Sequence, residues 1–455
     1  MRDLTKGSIT GHLLTMGTFI AVTMLVQTAY YLVDLYFVSR LGKEAVAGVS
    51  AAGTMMMLAM AISQVIGVGV TALASRAIGA GDGESANVLF NQSIGMALIV
   101  ALLALVLGYT VGLGAVEALA ADETTAVAAR SYFAAYLPSL AMIFPTVALG
   151  SALRSAGVVQ WPTVVQVISL ILNIILAPVL IAGWGIGVPL GVAGAGWAST
   201  IAAGVGLAAM IAIFPLEQNK MHWHSEMIAP RLKEWGRLFY VGVPAAGEFL
   251  LMFVTGSVIY WVIRSFGAEA QAGFGIGGRV LQSVMLPAMA VAFSTAPIIG
   301  QNLGAGNAAR VRETFYRAAT ISVIIMVALA LLMHISPSTL TAPFSPDERV
   351  LDNANTYLKI ISWNLIASGL VFTCSGVFQG LGNTTPALIS SATRLLTFVA
   401  PALCLEQQPG VTVEEFWWLA VASAAMQALV SLALVFREMR RKLEPANVAP
   451  APATL

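Results

Sequence analysis

The chain is short of charge. Lys, Arg, Asp and Glu make up 10% of its 455 residues, against roughly 25% in a soluble globular domain. That deficit excludes a water-soluble enzyme or scaffold, and the apolar excess agrees: 58% of residues are hydrophobic and the mean hydropathy is +0.84. The 23 basic residues are balanced by 22 acidic ones, and no basic stripe runs along any segment, which argues against nucleic acid as a partner. The two cysteines, Cys374 and Cys404, lie in apolar stretches, where they read as packing residues and not as a disulfide or a metal pair. His222 and His224 flank Trp223 in a loop; two histidines alone make a poor metal site, and they read as interfacial or solvated. No HExxH helix, nucleophile elbow or phosphate-binding glycine loop occurs. No catalytic site, cofactor or metal is therefore expected.

What the chain does have is apolar length. A bilayer-crossing helix needs about 20 apolar residues. Such runs begin near Leu13, Ser50, Phe90, Tyr132, Thr163 and Val192, and again near Leu238, Phe274, Thr314, Tyr357, Ala387 and Phe416. Helices are expected because every backbone group in lipid needs an internal partner. The first run is far longer than a signal-peptide core and reads as a retained span.

The two sets of six are copies of one unit. Adding 225 to each number carries Gly42-Lys43-Glu44-Ala45-Val46-Ala47-Gly48 onto Gly267-Ala268-Glu269-Ala270-Gln271-Ala272-Gly273, identical at five of seven positions. The same step carries Gly79-Ala80-Gly81-Asp82 onto Gly304-Ala305-Gly306-Asn307, and Gly157 onto Gly382. The expected fold is all-α: a polytopic membrane protein with twelve transmembrane helices in two parallel six-helix repeats, V-shaped lobes around a central cleft. The lobes are read as residues 1–216 and 236–438, joined by a cytoplasmic loop at 217–235 and followed by a cytoplasmic tail at 439–455. With the N-terminus inside, 15 Lys and Arg residues, Arg2 and Lys220 among them, flank the cytoplasmic ends of the spans, and 6 flank the outer ends. Both termini are therefore read as cytoplasmic. The last two, Arg279 and Arg394, fall within spans.

An acid at the centre of a membrane helix costs about 2.5–3.5 kcal/mol, so intramembrane carboxylates mark function by default. Two stand out, Asp34 in the first span and Glu248 in the seventh. Gln27, Tyr30 and Asp34 are spaced i, i+3, i+7 and share one helix face, which must look into the bundle. A carboxyl there can take a proton from one side and release it on the other; the plainer reading is an acid hydrogen-bonded for packing. Asn173 is a further polar candidate, with Ala177 on the same face four residues on. Glu248 has Thr23 as its counterpart in the first copy, so its charge is special to the second. It is read as a contact for a cationic substrate, a secondary proton site, or a partner for Arg279 or Arg394. Met55, Met56, Met57 and Met60 cluster in the second span; methionine suits promiscuous binding walls, and it also serves ordinary packing.

These residues together resemble the multidrug and toxic compound extrusion (MATE) family. The run Arg76-Ala77-Ile78-Gly79-Ala80-Gly81-Asp82, its partner Gly300-Gln301-Asn302-Leu303-Gly304-Ala305-Gly306-Asn307, and Gln379-Gly380-Leu381-Gly382-Asn383-Thr384 carry the likeness over nearly the whole chain. The pattern of Gln27, Tyr30 and Asp34 is similar to that of the prokaryotic DNA-damage-inducible branch. There the matching aspartate holds the coupling proton or sodium ion, helped by the position matching Asn173. The resemblance implies a secondary antiporter of the bacterial inner (plasma) membrane, acting as a monomer in the lipid bilayer. It would export organic, often cationic, compounds such as dyes and drugs in exchange for protons or sodium, by alternating access.

Two departures matter. Many relatives carry a second acid where this chain has Ala177, and some have a proline in the first span, which this chain lacks. One carboxylate suits a proton, whereas a bare sodium ion prefers several oxygen ligands, so the coupling ion is expected to be a proton. Asp34 would carry it, with Gln27, Tyr30 and Asn173 as its hydrogen-bond shell; Glu248, Met55, Met56, Met60, Arg279 and Arg394 are the candidates for the substrate cleft. The rival readings are a flippase for a lipid-linked precursor, an intramembrane enzyme, and a non-transporting receptor or scaffold. The flippase would want a strongly cationic cleft, and only two intramembrane arginines are present.

Overall fold

The computed structural model describes residues 3–184, 187–216, 221–344 and 347–444. Arg2, Lys220 and the tail from residue 445 onward lie outside the described residues. The first half contains α1 (Ile9–Ser39), α2 (Lys43–Gly79), α3 (Gly83–Leu107), α4 (Leu113–Ala118), α5 (Glu123–Ser155), α6 (Gln160–Ala182) and α7 (Val192–Ile213). The second contains α8 (Leu232–Val262), α9 (Ala268–Gly304), α10 (Ala308–Ile335), α11 (Pro337–Thr341), α12 (Glu348–Ile361), α13 (Asn364–Leu381), α14 (Thr385–Leu405) and α15 (Val413–Leu443). Among the described residues, helices in 12 places are long and apolar enough to cross a membrane, and no strand occurs. The all-helical fold and the six-plus-six arrangement follow from the hydropathy of the sequence.

The tenth span starts later than the sequence suggests. Tyr357 lies in α12, which carries Glu348, Arg349, Asp352 and Lys359 and is too polar to cross lipid. The chain turns at Ser362 and Trp363, and the apolar crossing begins at Asn364. The equivalent stretch of the first copy, α5, runs unbroken through Pro138 and Pro145.

Duplication is visible in the backbone. Gly81 and Gly306, 225 residues apart, have φ of 75° and 72°; Gly157 and Gly382, at the same offset, have 76° and 71°. These are left-handed positions, where glycine avoids the steric cost of a Cβ. The residues that follow Gly81 and Gly306 cap the next helices. The Asp82 side chain accepts from the Ser85 amide at 2.9 Å, and the Asn307 side chain accepts from the Arg310 amide at 3.3 Å.

The chain divides into two compact units. One contains residues 22–243, and the other contains residues 4–21 with the described residues from Pro244 onward. Chain order would cut the lobes in the 217–235 loop, whereas packing divides them within α1 and within α8. In the first unit α5 is central and packs on α2, α3 and α7; its core includes Phe90, Phe133, Phe144 and Phe214. In the second unit α9 packs on α10, α12 and α13, while α15 packs on α13 and α14.

The loop before α8 is seated on α3 in the first unit. Asn87 Oδ1 accepts from the His222 amide at 2.8 Å. Asn91 accepts from the His224 amide at 3.0 Å and donates to the His222 carbonyl at 2.8 Å. Gln92 donates to the Ala229 carbonyl and accepts from the Arg231 amide, both at 2.8 Å. Trp223 packs edge-on to Phe90 and Phe214. The repeat counterpart of Ala229 is Leu4, which is also held by side-chain amides in the second unit, but from the end of α9 and not from α10, the counterpart of α3. Its amide donates to Gln301 at 3.0 Å and its carbonyl accepts from Asn302 at 3.1 Å. Leaving a buried backbone group without a partner costs about 1–3 kcal/mol. Asn91→Ala is therefore expected to free the 221–231 segment, read as faster cleavage there in limited proteolysis while the spans stay intact.

Candidate functional site

The polar centre of the first unit lies on α1, α5, α6 and α7. Asp34 is 6% exposed, and its Oδ2 accepts from the Tyr132 hydroxyl at 2.7 Å. Tyr132 stacks on Tyr136, one turn on in α5, with ring centroids 5.5 Å apart. Asn173, fully buried on α6, donates through Nδ2 to the Tyr30 hydroxyl and to Ser199 Oγ, both at 3.1 Å. The Tyr30 hydroxyl points in turn to the Ser199 carbonyl at 3.4 Å.

Small residues make this convergence feasible. A Cβ on Gly196 of α7 would sit 2.7 Å from the Tyr132 carbonyl oxygen. Glycine there lets α7 lie against α5, and Gly194, where a Cβ would sit 2.6 Å from the Leu180 carbonyl of α6, does the same for the helix that carries Asn173.

Two acceptor atoms in this centre are buried and lack a hydrogen-bond partner among the described residues: Asp34 Oδ1 and Asn173 Oδ1. Such orphans are rare in proteins and call for an explanation. A carboxyl oxygen can take a proton outright, and both oxygens can face a small cation. Ala177, also fully buried, supplies no polar atom beside them.

The expected shell of Asp34 is differently arranged. Its direct partner is Tyr132, which sequence reasoning missed, while Tyr30 and Asn173 bond to each other and to Ser199. Gln27 is exposed and makes no hydrogen bond to a described residue. Sharing a helix face with Asp34 did not bring it into the network, because a stripe seven residues long covers more surface than one buried cluster. Tyr132→Phe removes the only donor to Asp34 among the described residues and should cost about 1–3 kcal/mol in the charged state. The expected result is an altered pH profile of function with the melting temperature lowered by less than a core truncation would lower it.

The remaining candidates separate. Met55 and Met56 pack against the hydrophobic core of the first unit, while Met57 and Met60 are more than half exposed. Arg279 is exposed on α9 and does not line the cavity that Glu248 lines. Glu248 accepts from the Ser375 hydroxyl. It forms no ion pair with Arg279 or Arg394, the pairing that a purely structural role would predict. Glu248 and Arg394 instead line one cavity in the second unit. Among the described residues no cluster of three metal-binding side chains occurs.

The sequence profile of the family described as MatE matches residues 20–179 and 244–403, one copy of the repeat in each stretch. A curated relative from Shewanella oneidensis, named an FAD transporter, is 24% identical over 393 residues, covering 86% of this chain and 87% of that protein. The probable multidrug resistance protein NorM of Thermotoga maritima is 26% identical over 368 residues, covering 80% of this chain and 78% of that one. Among solved structures, the Vibrio cholerae MATE transporter VcmN in its bent form superposes with a TM-score of 0.88 at 24% identity, covering 97% and 99% of the two chains.

Proposed function

The chain belongs to the MatE family of transporters, and on that premise we propose that it is a proton-coupled multidrug exporter of the bacterial inner membrane. The observation that carries the coupling part is the buried Asp34 carboxyl, bonded by Tyr132 on one oxygen and unpartnered on the other. A proton supplies the missing donor on Oδ1. Loss of that proton leaves a charge in an apolar bundle, and the two states differ enough to bias a conformational equilibrium. Twelve apolar helices fit a multi-pass protein, and the basic residues favour cytoplasmic termini. The protein would work as a monomer, and its cargo would be small organic compounds, cationic dyes among them. The relatives named as a multidrug resistance protein and as multidrug export proteins support that cargo.

A second reading of the cargo is a flavin nucleotide, favoured by the relative named an FAD transporter. One assay separates the two. Proteoliposomes holding the purified protein are given an imposed pH gradient or an imposed sodium gradient, with ethidium or FAD as the tracer. Ethidium movement that follows the pH gradient and ignores sodium is the expected result. FAD movement alone favours the second cargo, and movement driven by sodium alone overturns the proton. If neither compound moves under either gradient, the exporter reading fails for these cargoes.

A further inference from the structure

The second unit holds two intramembrane charges of opposite sign that share a cavity and do not neutralise each other. Glu248 on α8 and Arg394 on α14 both line it, with Ser375, Gln379, Ser391 and Gln427. Glu248 is bonded to the Ser375 hydroxyl. Gln427 donates to Ser391 at 3.1 Å. Arg394 Nε is buried without a hydrogen-bond partner, and its guanidinium forms no ion pair among the described residues. Gln379 leaves its side-chain amide without a bond to a described residue. Both charges are private to this copy, since their counterparts at the repeat offset are Thr23 and Ser169.

A lone guanidinium in an apolar bundle is expensive, because the lost hydration of the ion is repaid only by good pairing. The cheapest remedy is the acid on the same cavity wall, and the fold does not use it. Intramembrane ionisable residues left in this state mark a ligand or ion path. The occupant must answer both charges. A simple cation would satisfy Glu248 and be repelled by Arg394; a simple anion would meet the reverse. We propose that this cavity is a binding site for an amphoteric ligand, its amine on Glu248 and its acidic group on Arg394. Arginine suits the second task because its planar fork matches a carboxylate or phosphate. The cavity volume of about 50 Å³ exceeds the roughly 10–15 Å³ that one water needs. It leaves room for a head group larger than a single water. The proposal rests on the exporter reading and names the head group of a class of cargo distinct from the cationic dyes.

The test measures binding and not export, so its failure and the failure of the exporter reading are distinguishable. Full-length protein in detergent is melted with epsilon-aminocaproate, its methyl ester or caproate, each at equal concentration. The amino acid should raise the melting temperature by about 3 °C near saturation, and the ester and caproate by much less. In Arg394→Gln the ester should match the amino acid; in Glu248→Gln caproate should do so. Such reciprocal switching is not produced by a merely structural role. Equal shifts for all three compounds in the wild type, or no shift with any, overturn the proposal without recourse to a variant. A further arm uses lyso-phosphatidylethanolamine, which carries the same pair of groups. A larger shift than with the amino acid assigns the site to a lipid headgroup, and a smaller one to a free solute; either result supports the amphoteric site.

Discussion

The Asp34→Asn variant is expected to fold as the wild type does and to lose ion-driven export. The amide has the shape of the acid, and its oxygen can still accept from Tyr132, which now donates to Asp34 Oδ2 at 2.7 Å. What the amide cannot do is gain and lose a proton, so the bias between conformations no longer depends on the gradient. Coupling free energies of about 1–3 kcal/mol correspond to changes of about 5–150-fold, and loss of the sole acid in this centre should lie toward the upper end. The measurement is the initial rate of ethidium movement in proteoliposomes under a fixed pH gradient, with the melting temperature taken on the same sample. A normal melt with a rate near background is the expected pair. An unchanged rate would remove Asp34 from the coupling mechanism and direct attention to Glu248.

The second large effect is steric, and the repeat supplies its own control. Gly17 in α1 and Gly242 in α8 occupy one position in the two copies, 225 residues apart. A Cβ on Gly242 would lie 2.1 Å from the Val65 carbonyl oxygen and 2.7 Å from the Val65 Cα, both backbone atoms of α2. Neither atom can yield unless a helix moves. A Cβ on Gly17 would meet only Ser294 Oγ, at 3.7 Å, an ordinary contact. Overpacking of this kind costs about 1–3 kcal/mol, whereas glycine to alanine inside a helix otherwise gains about 1 kcal/mol. Gly242→Ala should therefore lower the melting temperature by several degrees, and Gly17→Ala should leave it unchanged or raise it. Equal behaviour of the two variants would mean that the α8–α2 contact is looser than this packing implies.

The sequence is most legible where one physical rule acts alone. Twelve spans follow from the length that lipid demands, and the duplicated turns follow from a fixed offset between glycines that must take positive φ. Asp34 was legible because a carboxylate in lipid is conspicuous. Its partner Tyr132 was not, because 98 residues separate the two and a tyrosine in an apolar span looks like any other aromatic. Gln27 misled for the complementary reason: helical spacing puts a residue on a face without saying how deep the face is buried. The charges of the second copy were visible one at a time, but only the fold shows that Glu248 and Arg394 share a cavity and leave each other unpaired. The 217–235 loop read as a connector. The seating of residues 222–231 depends on three amides of α3 bonding to backbone groups, and those bonds carry no signature in the loop's own residues.

The placement of residues 4–21 in the second unit sets an order of assembly on the ribosome. Leu4 bonds to Gln301, 297 residues later in the chain. At roughly 5–20 residues per second, its partner is translated about 15–60 s after it. The first unit faces no such delay, because the segment that completes it, through Val243, emerges after α2 and α3 are already made. The nascent protein can thus finish its earlier unit promptly, while residues 4–21 wait for α9. During that wait the first half of α1 is without the packing partners that the second unit later supplies.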